Sequence, residues 1–386
     1  MARVFPRIVF QLFQEKKMAT RTKKTSTITA PKDNRIRLGF IGTGNISGSH
    51  LGALQHLPEY EIVAGCDIKP ERLEWFKQQP GCQNAKVYAD YNEMLAKEKL
   101  DAVDVCTPNG VHAPAAIAAL NAGNHVIVEK PMAMNPAECQ AMCDAAAKAG
   151  KLLEVAFQWR YHPATEMCKR AIAEGLLGDI MYVKVQAMRR RGVPNWGVFG
   201  QKALQGGGPM IDIGVHHIES SHCAIGQPRP VAASGRTWTF LGDKPSKVVS
   251  MWPNWDYKTY TVEDLCVGQV RFENGILMQI ESAFCSHQAE NEYLNWQVMG
   301  TKGGFDFKSG TLFHDLAGTM VNSKAAFLPT ENIWRDFFVN KLRNFSSAIL
   351  KGTPLGADGE EGMAVQKIID GIYRSAAKGG AEVSIK

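Results

Sequence analysis

The order of hydrophobic and polar residues divides residues 35–386 into two halves with different patterns. In the first half, short apolar runs alternate with stretches in which apolar residues recur at helical spacing. The runs are predicted strands, and they lie at 36–41, 61–67, 85–88, 102–106, 125–129 and 151–157. Strands that alternate with helices in this way predict an α/β domain with a parallel, doubly wound sheet.

Past Phe157 the apolar runs become longer and helices become fewer. One helix is predicted over 163–174 and a last one over about 358–377. Asn274-Gly275 is typical of a hairpin turn between two strands. The strand-like runs of this half lie at 180–188, 231–240, 261–272, 275–283 and 295–300. This half therefore predicts an α+β domain with a large, mostly antiparallel sheet, and we divide the chain into domains at 35–157 and 158–386.

Composition and charge narrow the possible classes of protein. The chain has 386 residues, of which 45% are hydrophobic and 21% are charged, as in a globular protein with two domains. No apolar run approaches the roughly 20 residues of a membrane helix. Residues 1–32 carry a net charge of +7, and the rest of the chain carries −1, so the basic excess predicts no nucleic-acid binding by the folded body. Residues 1–34 are predicted to be a disordered tail, with a targeting peptide as the alternative.

Nine cysteines are scattered through the chain. Their number is odd, no C-x-x-C occurs, and several lie inside apolar runs. This pattern predicts reduced, buried thiols and a cytoplasmic location, with neither a disulfide framework nor a metal site.

A glycine-rich turn follows the first predicted strand. Gly42 permits a tight turn, and Gly44 lets the backbone approach a pyrophosphate at the start of the next helix. Asp67 ends the second strand, where a carboxylate accepts hydrogen bonds from the ribose hydroxyls of a dinucleotide. This carboxylate favours NAD over NADP, although basic residues nearby keep NADP possible. Ser47 occupies the third glycine position and is small enough for close packing.

Two further elements carry candidate chemistry. Lys130 follows the fifth strand, at the edge where ligands of open α/β sheets bind. Asp212 and His216 are four residues apart, so a regular helix would present them on one face. The glycines at 206–208 suit a backbone that lies close to a ligand. Together these groups could take a hydroxyl proton during carbinol oxidation, but each taken separately also fits a surface turn or an exposed helix face.

Residues 189–197 are predicted to form a loop over this site. Trp196 could stack on a sugar ring, and an arginine of the loop could meet a carboxylate or a phosphate. A solvated loop without such a role is the alternative.

The motifs taken together resemble the Gfo/Idh/MocA family of oxidoreductases, the glucose–fructose oxidoreductase and inositol dehydrogenase type. The motifs are G-x-G-N-I at 42–46, T-P-[NH] at 107–109, E-K-P at 129–131 and D-x-G-x-H at 212–216. The likeness covers residues 35–386. It implies a Rossmann domain followed by a substrate-binding α+β domain, with NAD as cofactor.

The resemblance also implies roles for single residues. Lys130 would be the catalytic lysine, His216 the proton acceptor or its close partner, and Asp212 the group that orients them. Glu129 would lie beside the nicotinamide. The expected nucleotide contacts are Gly42, Gly44, Asn45, Ile46, Asp67, Thr107, Pro108, Asn109, His112, Glu129, Lys130, Gln158 and Arg160. The expected substrate contacts are Lys130, Tyr161, Trp196, Asp212 and His216.

The resulting hypothesis is a dehydrogenase that moves a hydride between a nicotinamide and a carbinol carbon of a sugar, polyol or sugar derivative. An NAD-dependent glycosidase, which oxidises a ring carbon transiently, is one alternative. A non-catalytic sensor on the same scaffold is another. The expected partners are the small-molecule substrate and further copies of the chain in a dimer or tetramer, and neither nucleic acid nor a membrane.

Overall fold

A computed structural model of the chain describes residues 35–328 and 332–385. The predicted tail at 1–34 therefore lies outside the described residues. Among the residues described, none of the helices combines the length and the apolar character needed to cross a membrane.

The first half forms a six-stranded parallel sheet in the order β3-β2-β1-β4-β5-β6. Its strands are β1 Ile36–Ile41, β2 Tyr60–Cys66, β3 Lys86–Tyr88, β4 Ala102–Val105, β5 His125–Val128 and β6 Leu153–Val155. Every residue of β4 and β5 is buried, as in central strands covered by helices on both faces. The strand order reverses between β1 and β4, and ligands of such sheets bind outside the carboxyl ends at this point. The predicted doubly wound fold is confirmed.

Five helices connect these strands. They are α1 Asn45–Leu54, α2 Pro70–Lys77, α3 Tyr91–Lys97, α4 Asn109–Asn121 and α5 Pro136–Ala149. Pro70 and Pro136 begin their helices at the first turn, where a missing N–H costs no hydrogen bond. The side chains of Asp90 and Asn135 cap α3 and α5 by accepting backbone N–H bonds.

The second half forms a nine-stranded sheet in the order β14-β13-β12-β11-β7-β10-β9-β8-β15. All described pairings are antiparallel except that of β7 with β10. The strands are β7 Ile180–Arg189, β8 Pro230–Trp238, β9 Leu265–Phe272, β10 Leu277–Ala283, β11 Glu292–Gly300, β12 Gly303–Asp306, β13 Thr311–Leu316, β14 Thr319–Lys324 and β15 Val383–Ser384. The predicted mostly antiparallel sheet is confirmed, whereas β12 to β15 were absent from the sequence-based prediction.

The remaining helices lie beside this sheet or return to the first one. They are a 3₁₀ turn at Gln158–Tyr161, α6 Pro163–Ala173, α7 Lys202–Gln205, a π-helix at Met210–Gly214, α8 Val215–Ala224, α9 Ile333–Lys351 and α10 Gly359–Ala377. The prediction lacked α9 entirely, although Phe338, Leu342, Phe345 and Ile349 recur at helical spacing and are buried.

Helix α9 packs against the first, six-stranded sheet and its helices rather than against the second sheet. Its apolar residues share one buried cluster with Ile36, Leu38 and Phe40 of β1. The Tyr60 hydroxyl in β2 also donates to the Leu342 carbonyl at 2.7 Å. Helix α9 therefore completes the hydrophobic core on the first sheet, although it lies more than 280 residues beyond β2 in the sequence.

Candidate active site

The turn after β1 is built as the glycine pattern predicts. Gly42 has φ +90°, and a Cβ there would lie 2.6 Å from the Cys106 carbonyl oxygen, so only glycine fits. Gly44 precedes α1, which has no side-chain cap, and a Cβ at Gly44 would meet nothing within 4 Å. Ser47 is buried and donates to the Gly44 carbonyl at 2.7 Å. The first turn of α1 therefore presents open space and free backbone donors to a phosphate group.

Asp67 is fixed beside this turn. Its Oδ2 accepts from the Thr43 backbone N–H at 2.9 Å and from the Thr43 hydroxyl at 3.3 Å. Its Oδ1 accepts from the Lys69 backbone N–H at 3.0 Å. Arg72 donates from Nε and Nη2 to the Thr43 carbonyl, at 2.8 Å and 2.6 Å. The carboxylate thus has a set position next to the open space at Gly44, with lone pairs left for ribose hydroxyls.

In the T-P-N loop and the helix that follows it, the side chains of Asn109 and His112 lie within hydrogen-bond distance of backbone carbonyl groups of the protein. Asn109 Nδ2 donates to the Gln205 carbonyl at 3.0 Å. The ring nitrogens of His112 lie 2.8 Å from the Pro131 and Thr107 carbonyl oxygens, and burial lowers the pKa of this histidine. Both side chains were expected to line the nucleotide, but their polar atoms bind protein groups. The buried Thr107 Oγ1 has no partner among the described residues, so it is the hydroxyl of this loop that fits a nucleotide.

Pro108 is exposed and directly precedes α4 as its N-cap residue. In the G-x-G-N-I motif Asn45 is exposed and Ile46 partly buried, and they form the first turn of α1. These residues therefore lie at the open edge of the same turn. Their position is compatible with the expected nucleotide contacts.

Lys130 and Asp212 form a pair across the two halves of the chain. Lys130 Nζ donates to the Asp212 carbonyl oxygen at 2.9 Å and to its Oδ1 at 3.0 Å. Their side chains are 14% and 13% exposed, so each keeps a small opening to solvent. An ammonium group has three donors, and these two bonds leave one for a ligand.

His216 is close enough to Lys130 for the lysine charge to act on it. Burial, followed by the charge of Lys130, lowers the pKa of His216 well below its ordinary value. Its buried Nδ1 has no hydrogen-bond partner among the described residues, and its ring lies 6.0 Å from that of Trp159. His216 is therefore neutral near pH 7 and can accept a proton.

Asp212 lies in the π-helix and His216 in the α-helix that continues from it. The expected helix is present, but at Asp212 it is wound as a π turn, which is wider than an α turn. That Asp212 and His216 share one face stays a prediction. A π segment inside a helix often occurs at a functional site. Here it carries the Asp212 carbonyl and carboxylate that both meet Lys130.

The glycines at 206–208 do not approach a ligand through a bare backbone, as was expected. A Cβ at Gly207 would collide with the Tyr373 hydroxyl, and one at Gly208 with the Glu263 carbonyl. The buried Glu263 carboxylate accepts from the Gly208 N–H at 2.9 Å, and Tyr373 donates to it at 2.7 Å. The glycines thus permit close packing at the start of the π-helix, and Glu263 and Tyr373 hold it. Both residues were missed in the sequence because their partners are far along the chain.

Two further residues that the resemblance assigned to the nucleotide bind buried protein groups instead. The Glu129 carboxylate points inward, where Oε1 lies 2.9 Å from His50 Nε2, rather than toward a nicotinamide. Arg160 is buried and donates at 2.9 Å from Nε to Glu219 and from Nη1 to Glu361, which leaves it an internal ion pair rather than a nucleotide contact.

Tyr161 and Gln158 lie on the 3₁₀ turn after β6. The Tyr161 hydroxyl lies against Gly356, where burial together with Glu154 raises its pKa. This buried position beside Gly356 does not favour the expected substrate contact. Gln158 is buried with Oε1 unpartnered among the described residues, and it stays compatible with a nucleotide contact.

Trp196 lies in an aromatic cluster on the predicted loop. It is 39% exposed and its ring meets that of Trp252 edge-on at 4.8 Å. The Arg189 guanidinium lies 4.7 Å from the Trp252 ring centroid. Val193 of the loop shares a buried cluster with Ile213, the neighbour of Asp212. The loop therefore packs against the Asp212 segment and leaves an aromatic surface open beside it.

A possible metal-ligand cluster went unnoticed in the sequence. The ligand atoms of His50, Asp104 and Cys106 lie within 4.8 Å of one another, all buried. The same atoms bind one another, and the Lys341 ammonium lies 2.8 Å from His50 Nε2. A resident positive charge disfavours a cation here, so the cluster serves the fold.

Comparison with known families matches almost the whole described chain. Residues 36–157 match the GFO_IDH_MocA model, an oxidoreductase family with an NAD-binding Rossmann fold. Residues 169–385 match the C-terminal alpha/beta domain of that oxidoreductase family.

Curated relatives and solved structures agree with this match. The chain is 32% identical to D-glucoside 3-dehydrogenase of Escherichia coli strain K12 over 355 residues, which cover 91% of this chain and 98% of that protein. It is 27% identical to levoglucosan dehydrogenase of Pseudarthrobacter phenanthrenivorans, over 70% of this chain and 73% of that one. A solved structure of levoglucosan dehydrogenase with NADH has the same fold, with a TM-score of 0.79, 24% identity and coverage of 91% and 99%.

Proposed function

The chain belongs to the Gfo/Idh/MocA family of oxidoreductases, and on that premise we propose that it is an NAD-dependent dehydrogenase of a sugar, polyol or sugar derivative. The observation that carries the proposal is the Lys130–Asp212 pair with the neutral His216 beside it. The relatives named above act on glucosides and on levoglucosan, which supports a cyclic sugar as the substrate class. We assign the catalytic roles to Lys130, Asp212 and His216.

The protein groups divide the work of carbinol oxidation. Lys130 uses two N–H donors to stay on Asp212 and holds the substrate hydroxyl oxygen with the third. His216 takes the hydroxyl proton as the carbonyl forms, while Lys130 stabilises the negative charge that develops on oxygen. Bound NAD supplies the hydride acceptor. The C–H bond loses a hydride and the O–H bond loses a proton, which balances the oxidation to a ketone or lactone.

A panel of sugars, polyols and glycosides tests this function. We expect one NADH to accumulate for each carbonyl product, read by absorbance with purified protein and NAD. Release of an aglycone without net NADH would instead indicate a glycosidase. No turnover of any panel member with either NAD or NADP would contradict the proposed class of activity.

The neutral state of His216 sets the pH dependence. Because the pKa of His216 is lowered, the base form persists below the ordinary value of 6.5, and activity falls only as the pH drops through the lowered pKa. We expect kcat/KM for oxidation to be flat from about pH 9 down past 6.5, with its acid limb at lower pH. His216→Asn should abolish that limb. An acid limb at or above 6.5 in the wild type would contradict the role of His216 as base.

Asp67 supports a preference for NAD over NADP. Its carboxylate has a fixed position where a 2′-phosphate would bring a second negative charge, and like charges at that range repel strongly. We expect Asp67→Asn to lower the ratio of kcat/KM for NAD to that for NADP by about tenfold or more. Glu71→Gln, an exposed acid of the next helix, is the matched control and should leave the ratio unchanged. Equal use of both cofactors by the wild type would refute the assignment.

We further propose that Gly42, Gly44, Asn45, Ile46, Asp67, Thr107, Pro108, Lys130 and Gln158 contact the nucleotide. Trp196 is proposed to contact the substrate, because its half-exposed ring lies on the loop that packs against the Asp212 segment. Thr107 and Gln158 are included because each has a buried oxygen without a partner among the described residues.

We also propose that the chain forms a homo-oligomer and is located in the cytoplasm. The helices α8 and α10 cover one face of the nine-stranded sheet, and partly exposed side chains such as Tyr182, Lys184 and Gln186 line the other. This open face supports a homo-oligomer, a dimer or tetramer. The nine cysteines are all unpaired, which supports a reducing compartment and hence the cytoplasm.

A further inference from the structure

Lys341 on α9 is a fully buried lysine that lies far along the chain from the groups it meets. Its side chain has no exposed surface, and Nζ donates to Glu129 Oε1 at 2.8 Å across 212 residues of sequence. Nζ also lies 2.8 Å from His50 Nε2, and 4.3 Å from the Phe338 ring. A buried ammonium costs several kcal/mol in desolvation unless it is well paired, so its position calls for a physical reason.

Glu129 binds both Lys341 and the backbone of Lys130. Its Oε2 accepts from the backbone N–H of Lys130 at 3.1 Å, while Oε1 binds Lys341. Burial raises the pKa of Glu129, but Lys341 and His50 outweigh burial and hold it well below its ordinary value. The carboxylate is therefore ionised, and the Lys341 charge is one of the two partners that keep it so.

The cluster of Lys341, Glu129 and His50 also includes a residue of α1, the helix that follows the glycine-rich turn. His50 lies on α1 and its Nδ1 is 2.5 Å from Asp104 Oδ2, at the end of β4. Glu129 directly follows β5. Lys341 thus joins α9 to α1 through His50 and to the residue after β5 through Glu129, and His50 extends the cluster to Asp104 of β4.

We propose that Lys341 is a positioning residue for the oxidation: its ammonium neutralises Glu129, and Glu129 in turn holds the backbone of Lys130 in the reactive geometry. This inference rests on the proposed catalytic role of Lys130. Without Lys341, the buried Glu129 carboxylate loses its ammonium partner and keeps only His50 and the Lys130 N–H, a deficit that is relieved when the turn moves toward solvent or when Glu129 takes up a proton. Either change displaces Lys130, and a displacement of about 1 Å can cost up to 100-fold in rate.

A charge-balanced mutant cycle tests the proposal. We expect Lys341→Met to lower kcat by about 10- to 100-fold with the substrate KM within about threefold, because Lys341 itself is outside the proposed substrate contacts and only the position of Lys130 changes. Adding Glu129→Gln to Lys341→Met removes the unpaired charge, so the double variant should regain melting temperature and part of kcat. A lysine that served packing alone would give additive losses, and the double variant would then be the worst of the three.

The mutant cycle can also be started from Glu129→Gln instead of Lys341→Met. Glu129→Gln alone leaves the ammonium unpaired, and adding Lys341→Met should raise the melting temperature even if the single lysine variant does not fold. Tyr60→Phe is the matched control, because it removes another bond to α9, the one to the Leu342 carbonyl, without touching a charge. This control should lower the melting temperature at most slightly and leave kcat within about twofold.

Two results would overturn the proposal: a kcat of Lys341→Met within twofold of the wild type, or additive effects in the cycle. Binding of NADH, followed by fluorescence, gives a readout independent of turnover and should change little in Lys341→Met. Lys130→Ala is measured alongside. If it keeps full turnover, the proposed catalytic role fails; if it loses turnover while Lys341→Met does not, the positioning role alone fails.

Discussion

Lys130→Ala should reduce kcat by about 10²- to 10⁴-fold, the range typical of a removed acid–base or electrostatic group. Among the residues described, Lys130 is the cation paired with Asp212, and its third donor is the one left for the substrate oxygen. NADH affinity should fall far less than kcat, because the glycine turn and Asp67 lie outside this contact. Steady-state kinetics and a fluorescence titration with NADH separate the two effects.

The variant Lys148→Ala is the control for loss of a lysine in the same domain. Lys148 is exposed in the last turn of α5, so its replacement should leave both kcat and NADH binding unchanged. Full turnover of Lys130→Ala on a substrate identified by the panel would show that the catalytic assignment is wrong.

Gly42→Ala and Gly44→Ala should fail in different ways. At Gly42 the positive φ costs an alanine about 1–3 kcal/mol, and its Cβ would lie 2.6 Å from the Cys106 carbonyl. We therefore expect both the melting temperature and NADH affinity to fall. At Gly44 a methyl group meets no protein atom within 4 Å, so the fold tolerates it, but the methyl occupies the space proposed for the pyrophosphate.

Thermal unfolding and NADH titration of the two variants check this contrast. Gly44→Ala should lose about tenfold or more in NADH affinity at an unchanged melting temperature. Gly52→Ala is the control within α1, since its Cβ also meets nothing within 4 Å. Undiminished NADH binding by Gly44→Ala would place the nucleotide elsewhere.

Features that depend on local sequence were predicted well. The strands of the first sheet, the tight turn at Gly42 and the acid at Asp67 each follow from neighbouring residues, because hydrophobic periodicity and backbone sterics act over short distances. The Lys130–Asp212 contact spans 82 residues, and only the joint presence of the family motifs pointed to it.

Features that depend on distant partners were not predictable. The family pattern assigned Glu129 and Arg160 to the nucleotide, yet their partners Lys341, Glu219 and Glu361 lie 59 to 212 residues away and bury them. The π turn at Asp212 has no sequence signal that distinguishes it from an α-helix.

Helix α9 did carry a readable signal in its spaced apolar residues. Because the prediction lacked this helix, it also lacked Lys341, the cation that binds Glu129, and it left Glu129 available for a ligand. A missed helix therefore led to a misassigned side chain.

Transfer of a deuterium label tests the central claim most directly. A substrate found in the panel is labelled at the carbon that is oxidised and incubated with NAD and either wild-type protein or Lys130→Ala. We expect one deuterium in the reduced nicotinamide for each carbonyl formed, and a much slower transfer by the variant. Label that remains in the sugar or exchanges with water while an aglycone is released would contradict a dehydrogenase.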